Sequence, residues 1–304
     1  MLEDAMSNTT TMSYFEFQEL FPTEDACYTH LQKLRWPDGF QCPECGHGKA
    51  YFIRKRKVFQ CEQCRHQTSL TANTIFHKTH TPLRKWFWAV FLVGSDKRGC
   101  SAIQLSKNIE VSYPTAWLII HKIRKAMQDR DAPYQLNHFI EMDDAYFGGK
   151  SKGKRGRGAS NKTKVVIAVE NRGTCAGHAT MHVVNQINCY NLKEFANKHI
   201  EPHQTIKTDA YPAYMILSKD YDHQNEIVKA HEAMKKLPWV HILIGNAKTF
   251  IRGTYHGVSH KHLQQYLSEF CYRFNRRFNE NQLMDRILDA CLNTHQFTLA
   301  ELTL

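Results

Sequence analysis

The sequence predicts a multidomain α+β protein in which a small metal-binding module and a helical segment precede a mixed sheet with flanking helices. Three observations predict this class. Two Cys-x-x-Cys pairs fall within residues 36–76, apolar side chains recur at helical spacing over 82–130, and β-rich segments follow from 138 onward. The chain has 304 residues, which is enough for two or three domains of ordinary size.

Composition and charge restrict the classes of protein that this chain can belong to. Apolar residues make up 42% of it, an ordinary globular level, and no apolar run is long enough for a membrane span. The first residues lack the basic and apolar regions of a signal peptide, so we expect a cytoplasmic protein. The net charge of +11 favours a polyanionic partner, although composition alone is equally compatible with a basic protein that binds no nucleic acid.

Residues 1–35 are predicted to form an N-terminal helical lead. Residues from 13 onward read as short amphipathic helices, in which Phe15, Phe17, Leu20 and Phe21 are apolar. A second helix is expected to begin after Thr23, because its hydroxyl can cap free backbone amides and acidic residues follow it.

Residues 36–76 are predicted to form a zinc ribbon. Cys42-Pro-Glu-Cys45 and Cys61-Glu-Gln-Cys64 are separated by fifteen residues with the alternation of a small hairpin, which would bring both pairs onto one metal. Gly46 supplies the tight turn that such a pair needs. A redox pair and an iron site are the alternatives. Four thiolates leave no open coordination position, so the expected role of zinc is structural.

The hairpin between the cysteine pairs is strongly basic. Arg54, Lys55, Arg56 and Lys57 follow one another directly. Zinc ribbons are common on nucleic acids, and these cations are expected to contact DNA phosphates. A solvated surface without a ligand is the alternative.

Residues 82–130 have the outline of a helix-turn-helix segment. A short helix is expected from Ser101 to Asn108 and a second one from Tyr113 to Met127, with Ser112 as its N-cap. Basic residues on the second helix, Lys122 and Arg124, are candidate DNA contacts. Three helices that pack a small core and touch no DNA are the alternative.

Residues 138–280 alternate between strands and helices and carry two candidate catalytic carboxylates. Asp143 and Asp209 are each expected at the end of a strand, where they could converge on magnesium, which prefers oxygen ligands. Taken alone, both are also compatible with turn formation.

The stretch 150–164 has seven basic residues and no acidic one. It is expected to form a loop beside the carboxylates that contacts the DNA backbone. The candidates for these contacts are Lys152, Lys154, Arg155 and Arg157.

Four phrases of the chain resemble bacterial insertion-sequence transposases of the DDE type, which carry an N-terminal zinc ribbon and an ISXO-like, ribonuclease-H-like catalytic domain. They are Glu141-Met-Asp-Asp-Ala-Tyr-Phe-Gly-Gly-Lys, Lys207-Thr-Asp-Ala-Tyr, Gly253-Thr-Tyr-His-Gly-Val-Ser and Tyr266-Leu-Ser-Glu-Phe-Cys-Tyr-Arg-Phe-Asn-Arg-Arg. The resemblance implies that the enzyme cleaves element ends and transfers strands into a target with magnesium or manganese. It also implies that Asp143 and Asp209 are the two catalytic aspartates.

The third catalytic position departs from the family pattern, which places a Glu seven residues before a Lys. Lys248 matches the Lys, but His241 stands seven residues before it, and no acidic residue lies between Glu232 and Glu269. Asn246 is the other candidate and is slightly favoured by its oxygen, the donor that magnesium prefers. The spacing favours His241.

A later helix carries Glu269, Arg273 and Arg277 at intervals of four residues. This spacing is typical of a stabilising ladder of ion pairs. The family resemblance suggests instead an acid positioned for catalysis and two phosphate clamps. Residues 281–304 are expected to be a C-terminal tail.

The sequence therefore predicts a DNA transposase with structural zinc and catalytic magnesium or manganese. Its partners would be double-stranded DNA, namely the element ends and the target, and a further copy of the chain. The expected location is the cytoplasm of a bacterium, in association with the nucleoid. The alternatives are an inactive zinc-ribbon DNA-binding protein and a nuclease that never joins strands.

Overall fold

The computed structural model describes residues 11–149, 162–227 and 233–303. The chain divides into two compact units, one built from residues up to 130 together with 278–302, and one built from residues 131–277. None of the helices in the described ranges has both the length and the apolar character that crossing a membrane requires.

The helices, in chain order, are α1 (Tyr14–Leu20), α2 (Glu24–Arg35), α3 (Leu83–Ser95), α4 (Ala102–Asn108), α5 (Tyr113–Asp131), α6 (Cys189–His199), α7 (Ala233–Lys236), α8 (Pro238–Tyr255), α9 (Leu263–Phe274), α10 (Leu283–Asn293) and α11 (Leu299–Thr303). The strands are β1 (Ala50–Ile53), β2 (Val58–Cys61), β3 (Gln67–Ser69), β4 (Phe139–Phe147), β5 (Thr163–Asn171), β6 (Ala176–Val184), β7 (Thr205–Asp209) and β8 (Asp222–Glu226).

Local capping chemistry starts the early helices at the expected residues. The Thr23 hydroxyl accepts the backbone N–H of Ala26, and Ser13 and Glu16 form a reciprocal capping box at the start of α1. Ser112 accepts the backbone N–H of Thr115 at the start of α5.

The first unit has a core of α-helices, and the C-terminal segment is part of it. The apolar face of α10 is buried, including Ile287, Leu288 and Cys291, and the Cys291 carbonyl accepts the N–H of Ile75. Residues 283–293 are therefore a packed helix and not the tail that was expected, because apolar residues at helical spacing bury one face.

The three-stranded ribbon sheet has the order β1-β2-β3, with both pairs antiparallel. The expected hairpin is present, and β3 extends it. Two of its side chains, Phe59 and Thr68, lie opposite each other and are buried.

The helix-turn-helix outline is present, but the two basic residues that were expected to touch DNA are not on the surface. Lys122 and Arg124 are buried, and the Lys122 ammonium donates to the backbone carbonyl of Ile75 at 3.1 Å. Burial lowers the Lys122 pKa. From Ile119 to Met127, α5 is buried on nearly every side. The prediction that Lys122 and Arg124 contact DNA is therefore wrong.

The second unit contains a five-stranded mixed sheet of order β6-β5-β4-β7-β8. The pairs β4–β5 and β5–β6 are antiparallel, whereas β4–β7 and β7–β8 are parallel. Three antiparallel strands followed by two that run parallel to the first form the ribonuclease-H-like sheet, which confirms the predicted fold class.

Each face of this sheet carries its own core. On one face, α8 and α9 pack over residues of β4 to β6 that include Ala145, Phe147 and Val165. On the other, α6 and the turn after β7 pack over residues that include Ile140, Met142 and Val166. Because side chains alternate along a strand, odd-numbered residues of β4 face α8.

Candidate active site and metal centre

Asp143 lies in the middle of β4 and not at its end as expected. Strand β5 pairs with β4 from Ile140 to Phe147, and so extends it past the aspartate. The parallel neighbour β7 does end at Asp209, as expected. The β4–β7 register runs to Glu141 opposite Lys207, and two residues further it sets Asp143 beside Asp209. Adjacent strands lie about 4.8 Å apart, so the two aspartates are neighbours on the face that α8 covers.

Asp144 points to the opposite side of the sheet from Asp143. Its carboxylate accepts a hydrogen bond from the Tyr214 hydroxyl at 3.4 Å, and Tyr214 belongs to the core beneath α6. Its backbone N–H donates to Oδ1 of Asp143 at 2.7 Å, which orients that carboxylate. The alternation of the strand therefore selects Asp143 and excludes Asp144 as a partner of Asp209.

Helix α8 brings a histidine to the aspartates. Nδ1 of His241 lies 3.7 Å from Oδ2 of Asp143. Asn246 is exposed and stands five residues further on, about 140° around the helix from His241. Lys248 is almost in line with His241, two turns along, and its Nζ lies 5.8 Å from the centre of the Phe147 ring on β4. Between the two candidates for the third position, the structure brings His241 and not Asn246 to the acid pair.

The charges of this site influence one another. Burial lowers the His241 pKa, the Asp209 carboxylate opposes that shift, and Lys248 adds to it. Burial also lowers the pKa of Lys248, with repulsion from Arg252 and Lys162 adding to the shift and Asp143 opposing it. Two acids, one imidazole and one ammonium thus share a half-buried cleft between β4, β7 and α8.

Glu141 is a site residue that was quoted in a motif but given no role. It lies on β4 two residues before Asp143, is fully buried, and accepts the backbone N–H of Val240 at 2.9 Å and Nδ2 of Asn171 at 2.7 Å. Burial raises its pKa, and these hydrogen bonds oppose the shift. Leu237, the N-cap residue of α8, makes no side-chain cap, so the strand carboxylate caps the helix instead.

Glu269 and Arg273 of the later helix are buried in a different part of the second unit. Glu269 is fully buried, and its Oε1 lies 3.6 Å from Nη1 of Arg273, one turn on. Helix α9 packs against β6 through Gln264, which accepts the Val183 N–H. Strand β6 is two strands from β4, roughly 10 Å away.

Arg277 does not continue this ion-pair ladder, because α9 ends at Phe274. Its guanidinium donates to the backbone carbonyls of Gly177, Phe274 and Ala176. The expected ladder therefore consists of one pair, Glu269 with Arg273.

The four ribbon cysteines converge as predicted. Their sulfur atoms all lie within 4.8 Å of one another, and the Cys42–Cys64 and Cys45–Cys61 sulfur distances are both 3.6 Å. A tetrahedral zinc with bonds of about 2.3 Å requires sulfur separations of about 3.8 Å. The donor set and its dimensions fit structural zinc.

The two halves of this centre have the same backbone turn. The N–H of Gly46 returns to the carbonyl of Cys42, and the N–H of Arg65 returns to the carbonyl of Cys61. Both turn residues have positive φ, 74° at the glycine and 62° at the arginine. The expected use of Gly46 is confirmed, and in the second half an arginine adopts this less favourable conformation.

The basic hairpin is exposed in the structure. Arg54 to Arg56 form a 3-10 turn, Lys57 follows with φ 50°, and all four side chains are exposed beside the exposed rings of Tyr51 and Phe52. The other candidate DNA contacts, Lys152, Lys154, Arg155 and Arg157, lie outside the described residues.

Comparison with protein families identifies both domains. The ISXO2-like transposase domain matches residues 135–275, and the transposase zinc-ribbon domain matches residues 22–67. Residues 135–275 are therefore similar to an ISXO2-like transposase domain, and residues 22–67 are similar to a transposase zinc ribbon. The second match and the four converging cysteines together indicate structural zinc in the ribbon.

The chain is also similar to individual proteins and solved structures. An uncharacterized protein in transposable element ISH50 of Halobacterium salinarum is 28% identical over 218 residues, which are 66% of this chain and 72% of the relative. Among solved structures, a pre-cleavage Mos1 transpososome matches 66% of this chain and 76% of its own chain, at 9% identity and a TM-score of 0.28. The Mos1 strand transfer complex matches 66% and 75%, at 10% identity and a TM-score of 0.29.

Proposed function

We propose that this protein is a transposase, which cleaves the ends of its element and joins the freed strands to target DNA by metal-dependent phosphoryl transfer. The observation that carries the proposal is the meeting of Asp143, Asp209 and His241 beside Lys248 on one face of the sheet. The two aspartates lie on adjacent parallel strands, which the backbone ladder joins up to Glu141 and Lys207.

The donor set of this cleft fits a divalent metal. Asp143 and Asp209 offer carboxylate oxygens, which suit Mg²⁺ and Mn²⁺, and His241 offers a nitrogen in place of the acid usual in the family. When bound, the metal would activate a water molecule or a 3′-hydroxyl and stabilise the leaving oxygen.

The residues of the chain have separate tasks in this proposal. The two aspartates and His241 hold the metal, with His241 rather than Asn246 as the third ligand because it contacts Asp143. Lys248 neutralises the phosphate that undergoes reaction. Glu141 fixes the helix that carries both His241 and Lys248 onto the strand that carries Asp143.

The proposed DNA contacts outside the cleft are the exposed cations of the ribbon hairpin, Arg54 to Lys57, together with the basic stretch after β4. They would bind the phosphate backbone of element ends and target. Bringing two ends together requires two active sites, so we infer that at least a dimer forms on DNA.

A joining assay tests the proposal. The purified full chain is incubated with Mn²⁺ or Mg²⁺ and a plasmid that carries the DNA flanking its reading frame on both sides. Wild type should yield cleaved and joined products. Asp143→Asn and Asp209→Asn should yield neither, while their DNA binding in EDTA stays within about twofold of wild type, as expected when only ligands are lost. Asp144→Asn is the matched control, since this carboxylate faces the other core, and it should remain active.

The other outcomes decide against the proposal in different ways. Cleavage without joined strands would identify a nuclease, and DNA binding without cleavage in any divalent metal would identify an inactive DNA-binding protein. Full activity of Asp143→Asn would remove the acid pair from the mechanism.

A further inference from the structure

One face of α8 leads away from the acid pair and consists of four residues. His241, Gly245, Lys248 and Arg252 are separated by four, three and four positions. At 100° per residue they lie within an arc of about 60°. The buried residues of the helix, which include Leu243, Ala247 and Phe250, belong to the core on the sheet. The four-residue face therefore runs along the edge of that core, where Lys248 lies beside the Phe147 ring.

Positive charge collects along this face. Lys248 is half-buried and Arg252 is exposed one turn further on. Burial lowers the pKa of Lys248, and repulsion from Arg252 and from Lys162, the residue just before β5, adds to that shift. Like charges that converge on a surface raise the energy of the protein, and an anion bound among them relieves that repulsion.

Gly245 lies on the same face between His241 and Lys248, and the fold itself does not require a glycine there. It is exposed, and a Cβ atom built on it would meet nothing within 4 Å. Glycine in the interior of a helix is less stable than alanine. A glycine that the fold does not need is explained if another molecule approaches the helix backbone at this point.

We propose that the face formed by Gly245, Lys248 and Arg252 is a track for the phosphodiester backbone of the DNA strand that enters the acid pair. Gly245 leaves room for the phosphate nearest the aspartates. Lys248 and Arg252, with Lys162 beside them, neutralise the phosphates that follow. The track rests on the proposed function, because it supplies the strand that the acid pair would cleave.

Two measurements on the full chain test the track. The first is binding of a fluorescein-labelled 30-bp duplex in EDTA over a series of NaCl concentrations. Arg252→Ala should reduce the slope of log K against log salt by about one, the value expected for one lost phosphate contact. The second is single-turnover cleavage of the flanking-DNA plasmid with Mn²⁺. Gly245→Ala should slow it roughly tenfold or more, because misplacing a reacting group by a fraction of an ångström is costly.

Gly253→Ala is the matched control. Gly253 is also exposed on α8 with open space around its Cβ, but it stands about 120° from His241 around the helix. Both alanine variants should raise the melting temperature by about 2–4 °C through helix propensity. Only Gly245→Ala should lose activity, so a loss of stability cannot explain the result.

Each further outcome is decisive. If wild type cleaves DNA and both Gly245→Ala and Arg252→Ala match it, the track is refuted while the proposed function stands. If Gly253→Ala is impaired as much as Gly245→Ala, the effect comes from the helix backbone and the track is refuted. If wild type does not cleave but Arg252→Ala still lowers the salt slope, the proposed function fails and the track remains a DNA-binding face.

Discussion

Replacing Glu141 by alanine is expected to release the start of α8 from β4 and so to disturb the acid pair. Glu141 is fully buried, accepts the Val240 N–H at 2.9 Å, and stands two residues before Asp143. His241, whose Nδ1 is 3.7 Å from Asp143, directly follows Val240 in α8. Loss of the carboxylate therefore removes the link that sets the distance between the histidine and the aspartate.

The structure allows the size of the effect to be worked out. Alanine leaves two donors without their acceptor, the buried Val240 N–H and the partly buried Nδ2 of Asn171. Each such loss costs about 1–3 kcal/mol, and removal of the desolvated carboxylate offsets part of it, so the net loss of unfolding free energy should be about 2–4 kcal/mol. Glu141→Gln should lose less, about 1–2 kcal/mol, because one acceptor remains. Asn171 cannot rotate to accommodate the new amide, since its own oxygen accepts the Gly173 N–H.

Chemical unfolding of the full chain and steady-state kinetics of cleavage measure the two consequences. For Glu141→Gln we expect kcat to fall by about a hundredfold, the scale for a misplaced catalytic group, with KM for DNA little changed. Mn²⁺ affinity should fall as well, which a purely structural role would not require. Glu194→Gln, an exposed acid on α6, is the control. The reasoning is refuted if Glu141→Gln stays folded and keeps its metal affinity and kcat within twofold of wild type.

Three further predictions concern the ribbon, a buried histidine and the third ligand. Wild type should contain one zinc per chain, whereas Cys61→Ser should lose both the zinc and the protease resistance of the ribbon. Cys189→Ser is the control, because this exposed thiol lies elsewhere in the chain, and it should keep both. A full zinc content in Cys61→Ser would contradict the four-cysteine site. Burial and repulsion from His182 lower the His199 pKa to about 3, so its neutral ring stabilises the fold above pH 6.5 and this stability is lost as pH falls towards 3. The unfolding free energy should fall in that window by up to about 1.4 kcal/mol per pH unit for this group, and an equally steep profile in His199→Phe would exclude it as the cause. His241→Glu restores the oxygen donor usual in the family and should raise cleavage in Mg²⁺ relative to Mn²⁺; an unchanged ratio of the two rates would argue against a ligand at this position.

Local features were predictable because their causes lie within a few residues. The caps of α1, α2 and α5 depend on hydroxyls next to the amides that they bind. The zinc centre depends on two short knuckles whose backbone turns close within five residues. In both cases the chemistry of the segment determines the structure without help from distant parts of the chain.

Predictions failed where long-range packing overrides the character of a residue. Lys122 and Arg124 are charged, but they lie on a part of α5 that is buried on nearly every side, where their long side chains are covered. Strand β8, Asp222-His-Gln-Asn-Glu, has no apolar alternation and was not predicted. It is a strand because it lies at the sheet edge, where pairing with β7 supplies its hydrogen bonds.

From the sequence alone came the ligand set of the zinc centre, the two aspartates and the two candidates for the third position. Which candidate meets the aspartates depends on the rotation of α8 about its axis, and this rotation is set by its apolar face on the sheet. The pairing of Asp143 with Asp209 depends on the β4–β7 register, which joins residues about sixty positions apart in the chain. The capping role of Glu141 depends on both. Contacts of this kind follow from the packing of whole elements, so only the tertiary structure decides them.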